Sequence, residues 1–460
     1  MRFLLDLNQQ INSLVWGPPM MIFLMGTGVL LTIFTRGIQA RKLAFALREV
    51  LGKLFSKAAG EGEVTPFQAV ATALASTVGV GNIAGVSTAI VLGGPGALFW
   101  LWVSGLLGMC TKFAEIAVAL YYRQRDPSGQ MRGGAMYVLT EGLRLRWLGQ
   151  VFAFLTAAAA FGIGNMVQAN SVAEAAKASL AVPAPVSGAI LVVLAGLVVL
   201  GGIRRIAEVT QYLVPFMCLL YLTGAVVVLV RFAGEIPAVI ALVLESAFEG
   251  HAAAGGFAGA TVMMAIRYGI ARGLFSNEAG LGSAPIVHAS AVTDHPIRQA
   301  CYGIFEVFID TMVVCLITGF VILSTGVWQS GDTGAALAAK AFAVGLPGEW
   351  GHYIVTSGMI LFAFSSIIGW CYYGETGATF LFGPRAALPY RLAWLVFVWL
   401  GETGTLHVVW DIADTLNGLM AIPNLVAVLG SLPLLGRLIR DFFEEGASNG
   451  WPETKKITKV

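Results

Sequence analysis

The sequence predicts an all-α membrane protein of about 11 transmembrane helices, built as a five-plus-five inverted repeat with two discontinuous helices. Three observations predict it. Only 12% of the 460 residues are charged and 57% are hydrophobic, with mean hydropathy +0.78. A water-soluble domain carries about 25% charged residues, so the solvent of this surface is lipid. Apolar runs long enough to cross a bilayer recur along the whole chain. Two of those runs are interrupted by paired glycines among polar side chains.

The spans come first. A helix needs about 20 largely apolar residues to cross the hydrocarbon core. Runs of that kind fall at 16–35, 65–93, 95–122, 148–176, 186–203, 207–231, 256–288, 299–327, 350–382, 389–406 and 411–435. None shows the alternation of a lipid-facing barrel strand, so helices are expected throughout. The basic residues check the count. Loops on one side hold 21 of the 28 Lys and Arg, and the other side holds Arg2, Lys177, Arg231 and Lys340. Lys112, Arg267 and Arg272 fall within spans. The positive-inside rule then places the N-terminus outside and the C-terminus in the cytoplasm of a plasma (inner) membrane. The first run, Trp16 to Phe34, follows a polar start and leads into a basic segment, so it reads as a retained span rather than a signal peptide.

Shorter amphipathic helices are expected at 37–57, 236–248 and 333–345, lying along the membrane or capping it. The resulting organisation is 1–64 for a leading helix and its amphipathic partner, 65–235 for one five-helix block, 236–440 for the second, and 441–460 for a tail. Net charge of +2 is too small to suggest nucleic acid. The five cysteines sit in apolar runs at no metal-ligand spacing and read as small core residues.

The two interruptions carry the chemistry. One reads Ser76-Thr77-Val78-Gly79-Val80-Gly81-Asn82 and the other Phe275-Ser276-Asn277-Glu278-Ala279-Gly280-Leu281-Gly282-Ser283. Each follows an amphipathic segment and opens a block of five spans. Five is odd, so the blocks enter the membrane from opposite faces, which is the pattern of an inverted repeat with its site at the midplane. Unwound backbone in a bilayer exposes N–H and C=O groups that cost several kcal/mol each if unsatisfied. A helix N-terminus suits a carboxylate, and loose carbonyls suit Na+ or an ammonium. An amino-acid zwitterion with Na+ uses both. The competing reading of the same glycines is close helix packing. A dinucleotide fingerprint fails, because the third glycine, Gly85, is one residue too far and no strand precedes it.

At Ser76–Gly85, Gly93–Trp100, Thr111–Glu115, Gly164–Asn170, Gly273–Pro285 and Gly369-Trp370 the chain resembles the alanine/glycine:cation symporter family. These stretches cover roughly residues 65 to 385. The resemblance implies a leucine-transporter-type fold with one extra leading helix, and Na+-coupled uptake of alanine, glycine or similar small amino acids. Three positions depart from the family pattern. Ala135 stands where Pro is frequent, Ser365-Ser366 where Thr is common, and Cys371 where Tyr is usual. The hydroxyls needed for an ion survive, whereas Cys371 alters the pocket.

The same resemblance implies site roles. Na+ would take backbone carbonyls of Ala75 and Val78 with the hydroxyls of Ser365 and Ser366, a hard-oxygen set. Membrane serines also commonly bond back to their own helix, which is the plainer reading. The N–H groups near Gly79, Val80 and Gly81 would hold a carboxylate. Carbonyls near Thr77 and Phe275, with Ser276 and neighbouring Asn277, would hold the ammonium. Gln168 would reach in from across, and Phe275 and Trp370 would limit side-chain size, unless they only pack the core. Asn82 with Asp310 is a candidate second cation site. Lys112 and Glu115, three apart on one helix, are expected to pair. Glu306 and Asp310, four apart, are expected on one face, and Arg267 and Arg272, which bracket the second interruption, are candidates to pair with these acids. Glu278, Glu306 and Asp310 would serve a proton-coupled variant of the same transporter. A channel is disfavoured by the non-identical repeat, and an enzyme by the lack of a metal set or activated nucleophile. Oligomeric state is not legible.

Overall fold

The structure, a computed structural model, describes residues 2–54, 60–249, 262–403 and 407–444. The start of expected span 256–288, the end of span 389–406 and most of the tail lie outside them. The chain enters through α1 (Arg2–Val15) and α2 (Pro18–Phe34), then α3 (Ile38–Arg41) and α4 (Leu43–Gly52). Next come α5 (Pro66–Thr77) and α6 (Ala84–Gly93), the halves of the first interrupted segment, and the unbroken α7 (Ala97–Tyr121). A short hairpin pairs β1 (Gln124–Arg125) with β2 (Met131–Arg132). After α8 (Ala135–Tyr137), the helices α9 (Arg146–Ala159) and α10 (Val167–Leu180) run on through a π-helical turn, Ala160–Met166. Then follow α11 (Ala184–Val199), α12 (Gly202–Arg231) and α13 (Ile236–Phe248). The second interrupted segment is α14 (Val262–Asn277) and α15 (Ala284–His288). A second π stretch, Phe308–Cys315, joins α16 (Pro296–Val307) to α17 (Leu316–Ser324). The chain ends through α18 (Gly334–Gly345), α19 (Trp350–Phe382), α20 (Ala387–Thr403), α21 (His407–Gly430) and α22 (Leu432–Phe443).

This is an all-α membrane protein. Among the described residues, seven helical stretches are long and apolar enough to cross a bilayer: Asp6–Phe34, Ala97–Tyr121, Arg146–Leu180, Gly202–Arg231, Pro296–Ser324, Trp350–Phe382 and Asp411–Gly430. The sequence suggested 11. The four missing from that set have a local cause. Two are the interrupted segments, whose halves are 12 and 10 residues in one case and 16 and 5 in the other. The other two, α11 and α20, have 16 and 17 described helical residues. The last span also ends earlier than expected, because Ser431 breaks the helix and α22 turns off as an amphipathic piece burying Leu434, Leu435, Leu438 and Phe442. The amphipathic segments at 236–248 and 333–345 appear as α13 and α18.

The exposed surface agrees with lipid. Along α11, Val186, Ile190, Val193 and Leu197 are spaced four, three and four apart and are 50%, 55%, 61% and 69% exposed. A contiguous apolar stripe of that kind would drive aggregation in water and is at home against hydrocarbon chains. The interior is packed around α19, which lies against α5, α9, α10 and α12. The second interrupted segment lies against α6 and α7.

On the side rich in basic loops, the strand-like segment before α5 meets the turn after α15. Glu61 bridges Thr293 and Val64 bridges Ala291. Glu63 N–H donates to the Ser290 carbonyl at 2.7 Å, and Val292 N–H donates to the Val64 carbonyl at 2.8 Å. Arg123 donates to the carbonyls of Ala289, Ala291 and Glu61 at 3.2, 2.7 and 2.8 Å. Burial pulls its guanidinium down to about 10, so it remains a cation at neutral pH. A Cβ at Gly60 or Gly62 would run into the opposite backbone, so only glycine permits the approach.

Candidate functional site

The first interruption begins from a well-made helix. Thr65 and Gln68 form a capping box, with Pro66 at the first helical position, which fixes where α5 starts. The helix ends at Val78, leaving carbonyls without intrahelical partners. Serines of α19 supply donors: Ser365 Oγ donates to the Ala75 carbonyl at 3.0 Å and Ser366 Oγ to the Ser76 carbonyl at 3.4 Å. Ser365 Oγ also lies 2.8 Å from the Phe362 carbonyl of its own helix, so the back-bonded arrangement is present too. α19 comes this close because a Cβ at Gly369 would collide with the Ser76 hydroxyl.

Within the break, Gly79 N–H donates to Asn82 Oδ1 at 2.9 Å. Gly79 has extended backbone, so its glycine is needed for room: a Cβ would stand 2.7 Å from Ser366 Oγ and 3.6 Å from Gln168 Oε1. The three residues converge there. Gln168 Nε2 donates to the Ile163 carbonyl at 3.0 Å, which fixes the amide and leaves Oε1 buried without a protein partner. Gly81 lies under the Phe275 ring, where a Cβ would be 3.4 Å from the ring edge. Val80 is buried beside them, and the Thr77 hydroxyl bonds back to the Ala73 carbonyl at 3.2 Å.

The second interruption faces the first across Asp310. Asn82 Nδ2 donates to Asp310 Oδ1 at 2.6 Å, Ser276 Oγ lies 3.1 and 3.0 Å from its two oxygens, and Thr311 Oγ1 donates to Oδ2 at 2.8 Å. One carboxylate therefore joins both breaks. Cys315 Sγ lies 3.3 Å from both Asn82 Nδ2 and Ser276 Oγ. Ser276 and Asn277 are thus already engaged: Asn277 Nδ2 donates to Thr311 Oγ1 at 3.2 Å while its oxygen accepts from Ala279 N–H at 3.0 Å. Beyond them the chain turns sharply, with φ of +55° at Glu278, +96° at Gly280 and +78° at Gly282. A non-glycine residue in that region is strained and persists only where its surroundings hold it. Here Glu278 accepts from Ser283 Oγ at 2.5 Å and from Trp370 Nε1 at 3.1 Å. Trp370 is buried against Gly164, where a Cβ would clash with it. The π turn at Ala160–Met166 brings Gly164 there, and such turns often mark functional positions.

Two expectations need correction. Lys112 pairs across helices with Glu306, Nζ to Oε1 at 3.2 Å, and not with Glu115. Glu115 instead accepts from Gly280 N–H at 2.9 Å and Asn424 Nδ2 at 2.5 Å. Glu306 also has His288 Nε2 at 3.2 Å, so this carboxylate is engaged on both sides. Arg267 and Arg272 make no ion pair with Glu278, Glu306 or Asp310; Arg272 sits over the Phe275 ring at 5.9 Å. Asn424 was missed altogether. Its amide also donates to the Gly280 carbonyl at 2.9 Å, and Pro423-Asn424 inside an apolar run was the available signal.

Two helices unwound inside a bundle of apolar spans, with their polar groups gathered around one carboxylate, define the class: a multi-pass membrane transport protein. The chain belongs to the sodium:alanine symporter family, whose model matches residues 1–456. It is 46% identical to the sodium/alanine symporter AgcS of Methanococcus maripaludis, over 91% of this chain and 93% of that one. It is 45% identical to an uncharacterized transporter of Haemophilus influenzae, over 97% and 98%. A probable sodium/glutamine symporter, GlnT of Bacillus subtilis, is 34% identical over 94% and 89%.

Proposed function

We propose that the chain carries small neutral amino acids, alanine or glycine, into the cell together with Na+, by alternating access around the two interruptions. The observation that supports this most is the convergence of Gly79, Ser366 and Gln168, with a buried amide oxygen that has no protein partner. Such an acceptor is costly unless a donor from outside the chain completes it, and a substrate ammonium is one. N–H groups at Val80 and Gly81 would hold the carboxylate, and Phe275 and Trp370 would limit side-chain size. Thr77, Ser276 and Asn277 hold the break ends rather than reaching in with their side chains.

For the cation, the oxygens of Ala75, Val78, Ser365 and Ser366 form the first candidate set, and Asn82 with Asp310 the second. The two blocks, 65–235 and 236–440, would be the inverted halves of a leucine-transporter-type fold, after a leading segment 1–64. The basic loops and the 441–460 tail would face the cytoplasm. Bound Na+ would lower the free energy of the substrate-competent state, so the two ligands share one equilibrium. Inward movement of one charge gains about 2.3 kcal/mol per 100 mV.

Ser366→Ala is expected to raise the Na+ concentration for half-maximal uptake by roughly five- to thirtyfold, the loss of about 1–2 kcal/mol of ligand interaction. Unchanged Na+ dependence in proteoliposomes refutes the assignment. Trp370→Ala is expected to admit larger side chains, while Trp370→Phe keeps the wall and loses only the bond to Glu278. If competition by leucine stays as weak in Trp370→Ala as in the parent, the size limit lies elsewhere.

A proton-coupled reading rests on Glu278 and Asp310, both buried; Glu306 is committed to Lys112 and His288. A relative in Bacillus subtilis carries the name putative sodium/proton-dependent alanine carrier. Alanine uptake driven by an imposed Na+ gradient at fixed pH separates the two.

A further inference from the structure

Away from the interruptions, the end of α2, the α3 segment and α22 enclose a cleft of about 680 Å³ that the transport reading does not use. Five cations line it: Arg36, Arg41, Lys42, Arg437 and Arg440, against one acid, Glu444. The four arginines form no ion pair among the described residues. Lys42 Nζ stacks over the Phe443 ring at 4.1 Å. The remaining wall is apolar, with Phe34, Ile38, Pro433 and Ile439. Below the cleft, α2 presents Leu30, Ile33 and Phe34, exposed by 44%, 73% and 43%. The cations thus sit at the end of an apolar helix face of the kind that meets lipid tails.

We propose that this cleft binds the headgroup of an anionic phospholipid. Guanidinium groups grip phosphate oxygens in pairs, and their planar forks hold that geometry better than ammonium groups do. Four arginines lining one cleft, with no ion pair among the described residues, repel one another, and a phosphodiester is the counter-charge that removes the repulsion. The apolar wall and the α2 face accommodate the acyl chains, which a free phosphate does not have. Basic pockets between helices at the membrane surface recognise anionic headgroups by these same contacts. The occupant would join the N-terminal helices to α22, whose Phe442 ring meets Phe45 edge to face, 6.1 Å between centroids.

The full chain, purified in detergent, is tested by native mass spectrometry and thermal melting with phosphatidylglycerol, with phosphatidylcholine of the same chains, and with inorganic phosphate. Phosphatidylglycerol is expected to stay bound and to raise the melting temperature, and the other two are expected to do neither. Arg437→Gln with Arg440→Gln is expected to weaken retention about tenfold or more, and Arg204→Gln, outside the cleft, to leave it unchanged. Should the double variant not fold, Arg36→Gln on the opposite wall carries the same expectation. Equal retention of both lipids overturns the proposal. So does equal stabilisation by phosphate, which would mark a free-anion site, or retention indifferent to the arginine changes.

Discussion

If the chain works as proposed, Asp310→Asn is expected to lower Na+-driven alanine uptake by roughly a hundredfold, more than any other single change at the centre. The carboxylate receives Asn82 from the first interruption, Ser276 from the second, and Thr311 from its own helix. Bonds to a charged acceptor contribute about 1.5–3 kcal/mol each, so weakening two of them removes about 3 kcal/mol from the link between the two breaks. An asparagine keeps the volume and replaces one acceptor with a donor that faces donors. Initial rates in proteoliposomes, normalised to folded protein, read the effect. Parental rates in Asp310→Asn would mean that the link between the breaks is only structural filler. Asp310→Glu tests position as distinct from charge, and is expected to recover part of the rate.

The second large effect is on stability. Asn424→Ala removes two bonds at once, to Glu115 and to the Gly280 carbonyl. That carbonyl is then left in a water-poor interior, at a cost of about 1–3 kcal/mol, and Glu115 keeps only the Gly280 N–H. The turn at Glu278–Gly282, with its left-handed residues, loses a constraint that holds it. A loss of about 2–4 kcal/mol is expected, read as a lower melting temperature in detergent, while Asn424→Asp at low pH keeps the shape without the donor pair. A melting curve identical to the parent would show that α21 does not hold this break.

Much of this was legible from residue order, for identifiable reasons. Interruptions at 76–82 and 275–283 declare themselves because paired glycines and amides are costly in an apolar run, and the structure ends α5 at Thr77 and α14 at Asn277. Ser365 meets Ala75. Partners that depend on three-dimensional approach were not legible. Spacing along α7 suggested Lys112 with Glu115, but a helix neighbour three residues away contributes only a few tenths of a kcal/mol, and two partners on other helices outweighed it. The π turns were invisible too, since a single inserted residue leaves no compositional mark, yet one sets Gly164 against Trp370 and the other carries Asp310 itself.

The seam between residues 60–64 and 289–293 is made almost wholly of peptide groups and one guanidinium. Peptide hydrogen bonds weaken steeply once their angle falls below about 120°, so a row of them tolerates little shear. In the proposed alternating access, a path to the site on that face would have to part these rungs, and Gly60, Gly62 and Arg123 are the residues whose replacement would loosen the seam most.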